Sequence, residues 1–151
     1  MKDSSKNDFE TFFTADIETS LNDCFEKGGC FTVYPKGTSM LPTLREGKDS
    51  VTLVPPKSII KNGIYLYKRP NGKYAMHRLI KITDDNLIFC GDAQLVLENV
   101  KKEQILAYVE CIYRGNKRKD TRLSQRLFVL FNSVFLFRKL VIRFSSFRKR
   151  F

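Results

Sequence analysis

The chain has 151 residues, 42% of them hydrophobic and 28% charged, with a formal charge of +11; at roughly 100 to 200 residues per domain this is one globular domain with a small appendage, and neither disorder nor a fibrous repeat fits the balance. The four cysteines, Cys24, Cys30, Cys90 and Cys111, contain no CxxC pair, and His77 is the only histidine, so a zinc enzyme is all but excluded, no cofactor is implied and reduced thiols are expected. Any mechanism with a histidine base has to use His77.

In chain order, the first eight residues are polar and lack the apolar stretch of about 7 to 15 residues that a signal peptide requires, so no export signal is expected at this end. From Asp8 onward, Phe9, Phe12, Phe13, Ile17, Leu21, Cys24 and Phe25 recur at steps of three and four until Gly28 and Gly29. That spacing predicts an amphipathic helix within 1–29 whose apolar stripe is core or a docking face. After Gly29 the pattern changes to short runs rich in β-branched and aromatic residues at 30–34, 50–54, 63–68, 74–82, 87–90 and 105–113. Turn-forming residues separate them, and Asn71-Gly72 is the clearest hairpin signal. The expected fold is mainly β: a compact antiparallel β domain over 30–114, flanked by the N-terminal helix and a C-terminal basic amphipathic helix.

The charge sits at one end. Residues 1–113 carry 15 basic and 15 acidic side chains, whereas 114–151 carry 12 basic side chains against Asp120 alone. The stretch 114–122 reads as a polar, basic linker. From Leu123 a second helical pattern begins, with Leu127, Phe128, Phe131 and Phe135 on a broad apolar face and Arg138, Lys139 and Arg143 among its cations. Its longest apolar run, 127–137, is interrupted by Asn132 and Ser133 and falls short of the roughly 20 residues that span a bilayer. A helix of this kind suits an anionic membrane surface, with the apolar groups in the acyl boundary and the cations at headgroups. Docking back onto the β domain would account for the apolar face but not for the cations. Nucleic acid is the other polyanion, but the tail aromatics are phenylalanines on the leucine face rather than a stacking platform, so no specific nucleic-acid partner is expected. The expected location is peripheral to the membrane, on the cytoplasmic side.

Three stretches carry chemistry. The first is 36–44, Lys-Gly-Thr-Ser-Met-Leu-Pro-Thr-Leu, where Gly37 and Thr38 let backbone N–H groups approach a carbonyl and Pro42 stiffens an exposed loop presenting the Ser39 hydroxyl. The second places His77 and Arg78 in a strand directly after the hairpin, and the third places Asp92 after Gly91 at the end of a strand. A serine, a histidine to take its proton and a carboxylate to orient the imidazole are the general set for acyl transfer. Taken singly, each has a plainer reading: a loop serine, a half-exposed strand histidine, a turn-capping aspartate.

Together they resemble the type I signal peptidases and the related self-cleaving repressors. The shared pattern is Gly-x-Ser-Met-x-Pro-Thr-Leu over 37–44, a His-Arg in a strand 38 residues after the serine, and Gly-Asp about 15 residues further on; the resemblance covers about 33–113. The bacterial signal peptidases have a lysine where this chain has His77, which resembles the archaeal and endoplasmic-reticulum branch instead. The resemblance implies Ser39 as nucleophile, His77 as general base, and Asp92 or Glu98 as the acid, the latter replacing an aspartate of the histidine branch. It further implies an oxyanion and substrate-binding region drawn from Gly37, Thr38, Met40, Pro42 and Arg78. The implied function is a serine endopeptidase that clips a leader or signal segment from a peptide or protein precursor near a membrane. A catalytically inert peptide-binding relative and a membrane adaptor are the alternatives. The membrane span usual at the family's N-terminus is replaced here by the amphipathic pattern, and no Ala-Gly pair is present for self-cleavage.

Overall fold

The computed structural model describes residues 17–121. The first half of the N-terminal helical pattern and the whole C-terminal pattern, with Leu127, Phe128, Phe131, Phe135, Arg138, Lys139 and Arg143, lie outside the described residues. Helix α1 (Ile17–Glu26) opens the described chain and buries Ile17 and Leu21, one turn apart, as i, i+4 spacing places side chains on one face. It ends at Gly28, whose φ of 72° is open to glycine, and Gly28 N–H donates to Phe25 O at 2.9 Å.

The rest is antiparallel sheet: β1 (Phe31–Val33), β2 (Asp49–Val54), β3 (Ile64–Lys68), β4 (Tyr74–Ile82), β5 (Leu87–Cys90), β6 (Leu97–Val100), β7 (Ile105–Arg114) and β8 (Lys117–Asp120). The order is β1-β2-β7-β3-β4-β5-β6, with β8 paired to β7. All six predicted runs form strands. The Asn71-Gly72 hairpin joins β3 to β4 in the register Lys68↔Tyr74 and Tyr65↔His77, and Gly72, at φ 81°, closes the turn onto Arg69 O.

The predicted linker at 114–122 is corrected to a hairpin. Gly115, at φ 57°, turns the chain, and β8 pairs with β7 from Arg114↔Lys117 to Cys111↔Asp120. Main-chain pairing needs no apolar side chains when these face water, and Lys117, Arg118 and Lys119 are all exposed. A boundary at 114/115 would therefore cut the sheet. β7 is further fixed to β2 where Arg114 donates two bonds of 2.6 Å to the Asp49 carboxylate, holding that carboxyl below its ordinary range against the opposing effect of burial.

Both faces of the central strands are covered. Ile64, Leu66, Tyr74 and Met76 join Ile17, Leu21, Met40 and Leu44 in one cluster. The alternate residues Tyr65, Tyr67, Ala75 and Leu79 join Leu87, Phe89 and Val100 in the other. Two-sided burial explains why β3 and β4 read as nearly continuous apolar runs instead of alternating ones. α1 is tied to this sheet by Glu18, which accepts from Lys68 Nζ and the Tyr74 hydroxyl, each at 2.6 Å. Among the described residues no helix is long and apolar enough to cross a membrane.

Candidate active site

The pleat of β4 decides which of two adjacent polar residues reaches the serine. Successive strand side chains point to opposite faces, so His77 shares the face of Tyr67, Leu79 and Phe89, while Arg78 points the other way. Both are fully buried, at 0% exposure; His77 is thus not the half-exposed strand residue of the plainer reading. Its Nε2 lies 3.2 Å from Ser39 Oγ. Ser39 is itself 2% exposed, so the loop tucks its hydroxyl inward rather than presenting it on the exposed surface that its composition predicts.

The loop is seated by its backbone. Ala93 N–H donates to Ser39 O at 2.8 Å, and a Cβ at Gly91 would stand 2.6 Å from the same oxygen. No side chain fits there, which accounts for the Gly-Asp sequence beside the serine. Gly91→Ala is expected to push the Ser39 segment away from His77, at a stability cost of about 1 to 3 kcal/mol for overpacking. For any reaction that depends on the Ser39–His77 approach, displacement of about 1 Å can lower the rate on the order of 10²-fold, so such an activity should fall far more than thermal unfolding shifts. Equal kcat/KM for this variant and the wild type would show that the contact does not position Ser39.

Of the two candidate acids, Glu98 is the one in contact with His77. Glu98, on β6 opposite Phe89, places Oε1 3.1 Å from His77 Nδ1. Its two oxygens also accept from Arg69 Nε and Nη2, at 2.8 Å each. Burial opposes its charge, but the bonds from Arg69 and His77 outweigh that and hold the carboxyl well below the usual glutamate range. The carboxylate is therefore ionised through the neutral range, and the stability it confers is lost only as pH falls through that depressed value.

Asp92 has a different task. Its carboxylate accepts from Arg78 Nε at 2.8 Å and Nη2 at 2.7 Å, and from the Thr43 hydroxyl; Arg78 Nη1 also reaches Asn62 O at 2.8 Å. Arg78 is therefore corrected from a substrate-binding residue to a buried brace joining β4, the 39–44 loop and the Gly91-Asp92 turn. Met40 is likewise corrected, because it lies in the core cluster at 2% exposure. The Gly37 N–H donates to Glu46 Oε2 at 3.1 Å, which withdraws it from any oxyanion hole, and φ of 88° explains the glycine. Thr38 is half-buried and Pro42 is exposed after a cis Leu41-Pro42 bond.

Two neighbours escaped the sequence reading. Tyr67 places its hydroxyl 3.1 Å from His77 Nδ1 and its ring against Phe89 and His77. Arg69 sits where β3 enters the hairpin. The only sequence signal for either was strand alternation from Tyr65 and the position of Arg69 before Pro70. β6 itself matches none of the predicted runs, since 97–100 reads Leu-Glu-Asn-Val. Ser39, His77 and Glu98 thus form a continuous chain of contacts from hydroxyl to imidazole to carboxylate. No protein-family model matches this chain, and neither a curated protein nor a solved structure matches it significantly.

Proposed function

We propose that the protein is a serine endopeptidase of signal-peptidase type in its histidine branch, with Ser39 as nucleophile, His77 as base and Glu98 as the acid that orients it. The observation that carries this reading is the Ser39 Oγ–His77 Nε2 approach of 3.2 Å, backed by Glu98 on Nδ1. Each member comes from a separate segment, and each is held by its own backbone or side-chain bonds. His77 Nε2 removes the Ser39 proton as Oγ attacks the substrate carbonyl, and the Glu98 carboxylate stabilises the resulting imidazolium. The imidazolium then gives its proton to the departing amine, leaving an acyl-enzyme on Ser39 that water hydrolyses with His77 again as base. With the Gly37 N–H bonded to Glu46, the donors for the oxyanion are the Ser39 N–H and the Thr38 hydroxyl. Enclosure of the serine and histidine strengthens these charge interactions by excluding water.

The substrate on this reading is an extended segment paired main chain to main chain along a sheet edge, cut after a small residue as a leader or signal segment is. Incubation with a proteome-derived peptide library, followed by mass-spectrometric identification of new termini, tests it. Recurrent cuts after small residues support the peptidase; an untouched library would support an inert peptide-binding relative.

The 122–151 segment extends the proposal to an anionic membrane surface, by insertion of Leu127, Phe128, Phe131 and Phe135 and attraction of Arg138, Lys139 and Arg143. Each cation near the surface contributes about 1 kcal/mol, screened by salt, whereas apolar insertion is not. Cosedimentation with anionic vesicles should fall but not vanish as ionic strength rises. Deleting 122–151, which preserves β8, should abolish it while cleavage of a short soluble peptide persists. A truncated protein that binds vesicles as before would remove the tail from the account, and one that unfolds would make the tail part of the core.

A further inference from the structure

A neutral imidazole carries one proton on two nitrogens, and around His77 each placement is satisfied by groups already in position. With the proton on Nδ1, the N–H donates to Glu98 Oε1 at 3.1 Å, and the Nε2 lone pair faces the Ser39 hydroxyl at 3.2 Å. With the proton on Nε2, Nδ1 accepts from the Tyr67 hydroxyl at 3.1 Å, and Nε2–H points at Ser39 Oγ. The heavy atoms need not move between these states. The first leaves a base facing the serine; the second leaves none.

Resting on the peptidase reading above, we infer that Tyr67 and Glu98 compete for Nδ1 of His77, and that the Glu98 charge, anchored by Arg69, decides for the tautomer that Ser39 needs. Tyr67 is buried at 0% exposure, so its O–H requires an acceptor inside the protein. The hydroxyl lies 3.1 Å from Nδ1, and the Glu98 carboxylate stands 3.1 Å from the same nitrogen. A carboxylate has about four acceptor sites. Two donors from Arg69 and one from His77 leave one of these sites for the phenol. An ionised carboxylate is the stronger acceptor for both N–H and O–H, so it holds the proton on Nδ1 and turns the phenol toward itself. Removal of its charge leaves the phenol free to donate to Nδ1, which selects the unproductive tautomer. Tyr67 is thus a positioning residue: it completes the Glu98 shell in the native protein and becomes an antagonist when that charge is lost.

The one histidine of the chain makes this directly visible, because ¹⁵N-histidine labelling gives a single imidazole whose protonated and unprotonated nitrogens differ in chemical shift. At a pH where the spectrum shows a neutral ring, the native protein and Tyr67→Phe are expected to carry the proton on Nδ1, and Glu98→Gln on Nε2. Adding Tyr67→Phe to Glu98→Gln should restore an Nδ1–H population and raise kcat/KM about tenfold above Glu98→Gln alone. Arg69→Gln gives a second route, since loosening the carboxylate should raise the Nε2–H fraction and Tyr67→Phe should reverse it. An Nδ1–H signal that persists in Glu98→Gln, or an Nε2–H signal that Tyr67→Phe leaves unchanged, would overturn the competition. The spectra need no substrate, so loss of the peptidase reading would show in the cleavage assay alone, and loss of this inference in the tautomer alone.

Discussion

His77→Ala is expected to lower kcat/KM for peptide cleavage by about 10²- to 10⁴-fold, the range that a positioned general base contributes. No second imidazole can substitute, because His77, whose Nε2 lies 3.2 Å from Ser39 Oγ, is the one histidine of the chain. Lys73 and Lys81, the lysines nearest in sequence, are both exposed. The truncated ring leaves Tyr67 and Glu98 without one partner each, which costs about 1 to 3 kcal/mol. Glu98 retains its two bonds from Arg69, so the domain should still fold. Kinetics beside a thermal melt separates the effects: a rate loss in a folded variant supports the base, while an unchanged rate would transfer the role to another residue.

Asp92→Ala should act on stability instead. It strips the bidentate partner from an arginine with 0% exposure, leaving a buried guanidinium. Breaking such a pair from one side costs about 3 to 5 kcal/mol, against a total stability of roughly 5 to 15 kcal/mol for a domain. The melting temperature is expected to drop by roughly 10 to 30 °C. Replacing both partners, as Arg78→Met with Asp92→Leu, should recover much of that drop because no charge is left unpaired. Glu98→Ala should also lower the melting temperature, because it strips Arg69 and His77 of their carboxylate, but unlike Asp92→Ala it should bring a large fall in cleavage that the melting shift does not account for. An Asp92→Ala protein that melts like the wild type but is inactive would return Asp92 to a role in orienting His77.

The division of labour between these carboxylates was only partly legible in the sequence. Ser39, His77 and the two candidate acids all stood out by residue type and order, and the hairpin at Asn71-Gly72 was readable because only certain residues tolerate its turn. The acid could not be chosen, since Asp92 lies closer to His77 along the chain and the contact from His77 to Glu98 crosses β5 to reach β6. β6 is mixed in character because Glu98 faces a site rather than water or core, so it carried no strand pattern. Arg78 and Met40 were implied as site residues by the resemblance, but the pleat and the loop turn them to the opposite side. β8 looked like a linker because it reads Lys-Arg-Lys-Asp, with no apolar side chain, whereas its place in the sheet depends on main-chain bonds. Composition reads what side chains prefer; it does not read which partner a backbone finds.

The most direct measurement compares wild type and Ser39→Ala on the same peptide library, with fold checked by circular dichroism. The account predicts new termini from the wild type and none above background from a folded Ser39→Ala, since removing one buried hydroxyl eliminates the nucleophile without removing a brace. The same termini appearing at the same rate from Ser39→Ala would contradict it.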